Sequence, residues 1–266
     1  MEIYELPLVF FTVLAQWGIG GVIALALCLV GRDRVFDTLT TRKIASAFWL
    51  VTVVGSCASL AHLGSPLGAY RAFAGIGRSW LSREVVAFIL LNGALTLWLI
   101  MCWFANDSVW MKVANWGVCL LGIGAILVSS QIYYQMTLHP LWNTLATPSA
   151  FFGTSILLGF ASVSVMANYV QQNLPATLKV GLLLGITLVA MSLLMRYRIP
   201  GADAGSALFW WQLLASLVVS GWLLSRAGSR KIPLFAGILL VGIILSGEFA
   251  GRMLFYGNVM SGAPWF

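Results

Sequence analysis

The sequence predicts an all-α integral membrane protein with eight transmembrane helices, and three observations carry that prediction. Hydrophobic residues make up 60% of the 266 residues and charged ones only 9%, against about 45–50% and 25% in soluble domains. Mean hydropathy is +0.93. The apolar residues gather into eight runs, each close to the ~20 residues that cross a hydrocarbon core as a helix. The short alternating segments of a membrane β-barrel are absent from the sequence.

The first run, Leu6–Val30, follows the acidic start MEIYE, which does not read as a signal peptide because that requires a basic beginning. Within it, LALC at Leu25–Cys28 has Leu27 where a lipoprotein cleavage site needs a small residue. The second run, Ile44–Leu60, starts behind Arg42 and Lys43 and is closed by His62. The third, Val85–Ala105, is opened by Glu84, whose charge suits a helix N-terminus, with Ser82 as its expected cap. Val113–Ile132 follows Lys112. A charge-free connection, YYQMTLHPLWNTLATPSAFF, then separates two groups of four helices. Its Trp142 is expected to anchor the chain at the membrane interface. Phe151–Val170, Leu178–Met195 and Leu208–Leu224 come next, and the eighth run, Ile232–Phe255, holds Glu248 and Arg252 within its apolar length. The connections and termini are too short for a soluble domain, so residues 1–266 are expected to form one polytopic membrane domain. No internal repeat aligns between the two groups. Most of the 27 glycines are expected at close helix contacts.

Lys and Arg in short loops set orientation. Arg32, Arg34, Arg42, Lys43, Lys112, Lys179, Arg226, Arg230 and Lys231 fall on the face away from the termini. Arg71, Arg78, Arg83, Arg196, Arg198 and Arg252 fall on the other. Nine against six puts both termini outside the cytoplasm. The net charge of +7 then reads as topology and contact with anionic lipid, not nucleic-acid binding.

Ionisable groups in a bilayer cost about 2.5–3.5 kcal/mol each, so the few within or against the runs are functional candidates. Glu248 and Arg252 share a helix face at i,i+4 spacing, with Tyr256 one turn further. They are expected as a structural pair beside the site. His62 and Glu84 have no obvious local partner of opposite charge, because the consecutive side chains of Arg83 and Glu84 diverge on a helix. The Gly-rich segment between them returns the chain to the same face, so both are expected to line one interfacial pocket beside RAFAGIGRSW. Oxidation of a lipid-soluble hydroquinone needs such groups. Two electrons leave with two protons, and acceptors working near neutral pH must stand beside the ring. Proton-coupled transport uses similar groups, normally at the midplane between broken helices, and a passive anchor needs none of them. The four cysteines lie in separate runs without Cys-x-x-Cys spacing, so no metal or iron–sulfur site is expected. The two histidines, His62 and His139, lie at helix ends or in loops, which disfavours haem.

Five blocks, ELPLVFFTVLAQ (Glu5–Gln16), HLGSPLGAYRAF (His62–Phe73), GIGRSWLSRE (Gly75–Glu84), TPSAFF (Thr147–Phe152) and GEFAGRMLFYG (Gly247–Gly257), resemble the membrane anchor subunit of bacterial dimethyl sulfoxide reductases. These belong to the wider polysulfide-reductase-like group of quinol-interacting anchors. The resemblance implies a multi-pass protein of the bacterial cytoplasmic (inner) membrane, working in anaerobic electron transport. It implies two partners, an iron–sulfur electron-transfer subunit and a molybdopterin catalytic subunit, docked on the extracytoplasmic face. It also implies menaquinol as the substrate bound here, with catalytic roles carried over onto Glu84 and His62. Arg71, Arg78 and Arg83 are expected to hold quinol oxygens, Arg71 and Arg78 also to dock the partner, and Gln16 and Tyr256 to hydrogen-bond the ring. Arg83 stands where the most similar members carry Asn, and the central loops are shorter, which leaves the terminal acceptor open.

Overall fold

The structure, a computed structural model, describes residues 5–30, 35–61, 66–105, 109–171, 174–199, 205–226 and 231–260. Among them there is helix and no strand. The long helices are α1 (Leu6–Val30), α2 (Thr38–Ala58), α3 (Trp80–Phe104), α4 (Val109–Tyr134), α5 (Ala146–Val170), α6 (Ala176–Tyr197), α7 (Ala207–Arg226) and α8 (Leu234–Met260). A 3₁₀ segment, Pro66–Gly75, joins α2 to α3 and packs on α3. Within α7, Leu213–Val218 is a π-turn.

Most helices outrun their apolar cores, because intrahelical hydrogen bonding continues through the polar interface where hydropathy no longer marks it. The clearest case is α3, which starts at Trp80, not Val85. Its cap is Ser79, whose hydroxyl accepts from the Ser82 N–H, so the expectation of Ser82 as cap is corrected. Glu84 therefore sits in the second turn, inside the helix. Asp37 caps α2 in the same way through the Thr40 N–H.

Seven described helices are long and apolar enough to cross a membrane. The exception is α2, in which Arg42 and Lys43 occupy the second turn and the apolar part runs from Ile44 to Ala58.

At the centre of the fold are α1 and α5. In each, 72% of the most apolar window is buried, against 28–44% in the other five. They cross closely because both carry glycine at the contact. A Cβ on Gly159 would lie 2.1 Å from the Gly20 carbonyl carbon, and one on Gly20 would lie 1.8 Å from the Ser155 carbonyl oxygen. Around this pair the packing repeats. The contacts α1–α2, α2–α3, α3–α4, α1–α4 and α4–α5 recur as α5–α6, α6–α7, α7–α8, α5–α8 and α8–α1. The two four-helix groups are thus alike in packing, although their sequences do not align. What recurs is which faces are small and buried, not residue identity.

Candidate functional site

Five helices bring polar side chains together in the buried interior, from α1, α3, α4, α5 and α8. Glu84 is buried on α3, and its Oε1 accepts a 2.5 Å hydrogen bond from the Ser129 hydroxyl on α4. One turn along α4, the Tyr133 hydroxyl shares a 3.0 Å hydrogen bond with that of Tyr256 on α8. One turn back along α8, Arg252 Nη2 donates to Gln16 Oε1 on α1 at 2.8 Å and to the Thr154 hydroxyl on α5 at 3.4 Å. Thr154 in turn donates to Glu248 Oε2 at 2.5 Å. The i,i+4 spacing of Ser129 with Tyr133, and of Tyr256 with Arg252 and Glu248, makes these pairings one series of neighbouring polar groups.

The series runs inward. At 1.5 Å of rise per residue, Glu84 is about 6 Å from the start of α3, while Gln16 is about 15 Å from the start of α1 and Glu248 about 18 Å from the end of α8. Such depth requires partners for every charge. Arg252 gains them from two directions: Gln16 and Thr154 accept from its edge, while its face lies 3.8 Å over Phe151 and 5.5 Å over Phe255. These cation–π contacts are worth up to about 2 kcal/mol when desolvated.

Aromatic packing fixes the site's rear wall. Trp142 is buried, donates its indole N–H to the Phe255 carbonyl at 2.7 Å and stacks on the Phe255 ring. Tyr133 packs edge-on to Trp142, Phe255 and Tyr256. This corrects the expectation of an interfacial anchor for Trp142: its indole turns inward and finds a backbone partner there, while Leu138 of the same connection stays exposed. Asn143 fixes the turn by donating to the Tyr134 carbonyl.

The candidate residues of the sequence divide into groups. Glu84, Gln16, Tyr256, Glu248 and Arg252 are buried in or beside the series of polar groups. Glu248 and Arg252, expected as a direct pair, meet through Thr154. Arg71 and Arg78 are exposed, Arg71 lying 5.9 Å over the Tyr70 ring. Arg83 turns away from Glu84. It packs 4.3 Å over Trp80 and donates to the carbonyls of Ile76 (2.9 Å) and Gly77 (3.4 Å), pinning the connection to the start of α3. His62 lies outside the described residues. Ser129, Tyr133 and Thr154 join the site without any signal in the sequence, because a lone hydroxyl in an apolar run carries no sign of what it will face. Among the described residues no group of three or more His, Cys, Asp or Glu is gathered as a metal site would require.

A bundle of apolar helices enclosing a buried series of carboxylates, hydroxyls and one guanidinium is a multi-pass membrane protein. Its family is set by comparison: the profile described as DMSO reductase anchor subunit (DmsC) matches residues 1–258, and the protein belongs to that family. It is 30% identical to the anaerobic dimethyl sulfoxide reductase subunit YnfH of Escherichia coli (strain K12), over 97% of this sequence and 96% of the relative. The C subunit of the anaerobic dimethyl sulfoxide reductase is 27% identical in Escherichia coli (strain K12) and 29% in Haemophilus influenzae, with the same coverage.

Proposed function

We propose that the protein oxidises menaquinol near the extracytoplasmic face and passes the electrons to an iron–sulfur partner subunit, itself docked to a molybdopterin catalytic subunit. The observation that carries this reading is Glu84, a buried carboxylate in the second turn of α3, held by a serine hydroxyl and by no cation among the described residues. Oxidation of one quinol releases two electrons and two protons. The electrons leave through the partner's clusters. Glu84 takes one proton and, with His62, returns protons to the same face. Tyr256 and Gln16 bond the ring oxygens, and the exposed Arg71 and Arg78 form part of the docking surface.

In this reading the protein is a single membrane domain of residues 1–266 in the bacterial inner membrane, with eight crossings and both termini outside. The eighth crossing is α2, whose Arg42 and Lys43 would sit at the cytoplasmic headgroups. The Gln16–Arg252 hydrogen bond supports an even number of crossings, since it joins the first half of α1 to the last third of α8.

The test is Glu84→Gln in the assembled complex. Quinol-driven reduction is expected to fall by about a hundredfold, while reduction from an artificial electron donor is unchanged. Quinol oxidation that survives the substitution would instead establish a passive anchor.

A further inference from the structure

We propose that Gln16, Gln212, Glu248 and Arg252 make the deep end of the polar series, beyond Glu84, into a site that binds a hydroxyl group: a water molecule or the ring hydroxyl of a quinol. All four side chains are more than nine-tenths buried. Each keeps one polar atom without a hydrogen-bond partner in the protein: the donors Gln16 Nε2 and Arg252 Nη1, and the acceptors Glu248 Oε1 and Gln212 Oε1. Native interiors rarely leave such atoms unpaired, and a cluster of them marks a bound polar group.

Three of the four residues are joined through hydrogen bonds, and Gln212 packs on the same helix as Arg252 and Glu248. Arg252 bonds Gln16 directly and reaches Glu248 through Thr154. The Gln212 amide lies against Gly251, the residue beside Arg252, where an added Cβ would be 2.2 Å from it. The π-turn of α7 begins one residue after Gln212 and carries Ser216, whose buried hydroxyl is also unpartnered and faces Gly247, the residue beside Glu248. Two glycines on α8 thus let a polar edge of α7 pack on α8 at the turns that carry Glu248 and Arg252, and π-turns are frequent where a helix is shaped around a functional site.

Two donors with two acceptors match water, while a ring hydroxyl, with two lone pairs and one hydrogen, uses the two donors and one of the acceptors. Its oxygen would accept from Arg252 Nη1 and Gln16 Nε2, and its hydrogen would point to Glu248 Oε1. In the quinol reading above, on which this role rests, Glu248 becomes a second proton acceptor. The hydroxyl O–H bond breaks, the proton passes to Glu248, and the electrons leave through the iron–sulfur partner. Where water fills the site, it relays the proton to Glu248 instead.

The test uses the whole complex, purified with its partner subunits. An electron cryomicroscopy map that resolves water is expected to show density within hydrogen-bond reach of Glu248 Oε1 and Arg252 Nη1, compact for water or ring-shaped for a quinol. Absence of any density there overturns the proposal, whether or not a variant assembles. Gln212→Leu is expected to lower quinol-driven turnover by about fivefold with artificial-donor turnover unchanged. If the ring occupies the site, the variant also weakens binding of 2-heptyl-4-hydroxyquinoline N-oxide by about tenfold; if water does, that binding is unchanged. Unchanged turnover and unchanged binding together overturn the proposal. Glu84→Gln is measured alongside: if it leaves quinol oxidation intact, the quinol reading fails, while the map still decides the deeper site.

Discussion

The two buried carboxylates are held alike and surrounded differently. Glu84 and Glu248 each accept a 2.5 Å hydrogen bond from a hydroxyl on a neighbouring helix, Ser129 for one and Thr154 for the other. Around Glu84 there is no cation among the described residues, and Arg83, adjacent in sequence, spends its donors on backbone carbonyls. Around Glu248 the same hydroxyl that holds the carboxylate also accepts from Arg252, so a guanidinium stands one hydrogen bond away. Depth explains the difference. Glu84 lies about 6 Å from the start of α3 and Glu248 about 18 Å from the end of α8, and the deeper carboxylate is the one to which the protein brings a guanidinium.

Arg252→Ala tests that contrast with the largest expected effect. It strips Glu248 of its counter-charge and Gln16 of its partner, and breaking a buried charged arrangement from one side costs about 3–5 kcal/mol. The assembled complex is expected to be lost from membranes, as read by immunoblot and artificial-donor activity. Glu84→Gln, by contrast, is expected to leave assembly intact. Equal assembly of the two variants would erase the distinction.

The next effect compares the two hydroxyls. Thr154→Val removes a group shared by two buried charges and is expected to destabilise by about 2 kcal/mol, within the range for hydrogen bonds to charged groups. Ser129→Ala is expected to cost about 1 kcal/mol, because the Ser129 hydroxyl serves a single charge. Thermal midpoints of the detergent-solubilised complex measure both. A larger loss at Ser129 would reverse the assignment of the two carboxylates.

Why one of these sites is readable from the sequence and the other only in part follows from how each is built. Glu248, Arg252 and Tyr256 lie on one helix at i,i+4 spacing, so their common face is evident from residue order alone. Glu84 stands out as a charge at the edge of an apolar run. Its partner Ser129 is 45 positions away, and nothing in a serine between apolar residues says that it faces a carboxylate. The Tyr133–Tyr256 pair, 123 positions apart, depends on α4 lying beside the end of α8, which the order of helices does not reveal. The helical cores are legible because burial in lipid demands long apolar runs. The ends of helices are not, since capping and interfacial residues are polar. The π-turn of α7 is invisible, because its residues are ordinary helix formers.

The smallest effect concerns what joins the two carboxylates. Tyr133 and Tyr256 form the hydroxyl step between the Ser129 end and the Arg252 end of the polar series. Tyr133→Phe removes one hydroxyl while keeping the ring that packs on Trp142 and Phe255. The expected stability loss is about 0.5–1.5 kcal/mol, the ordinary value of one neutral hydrogen bond. If the two carboxylates work as one proton-handling unit, Ser129→Ala and Tyr133→Phe act on the same path. Their combined effect on quinol-driven turnover should then be smaller than the product of the single effects, because interrupting a path twice adds little to interrupting it once. If they are independent, the effects multiply. A double-mutant cycle on turnover, normalised to artificial-donor activity, separates the two outcomes. Multiplicative behaviour would mean that Tyr133 packs the site without connecting its ends, leaving Glu84 to exchange its proton with the outer face alone.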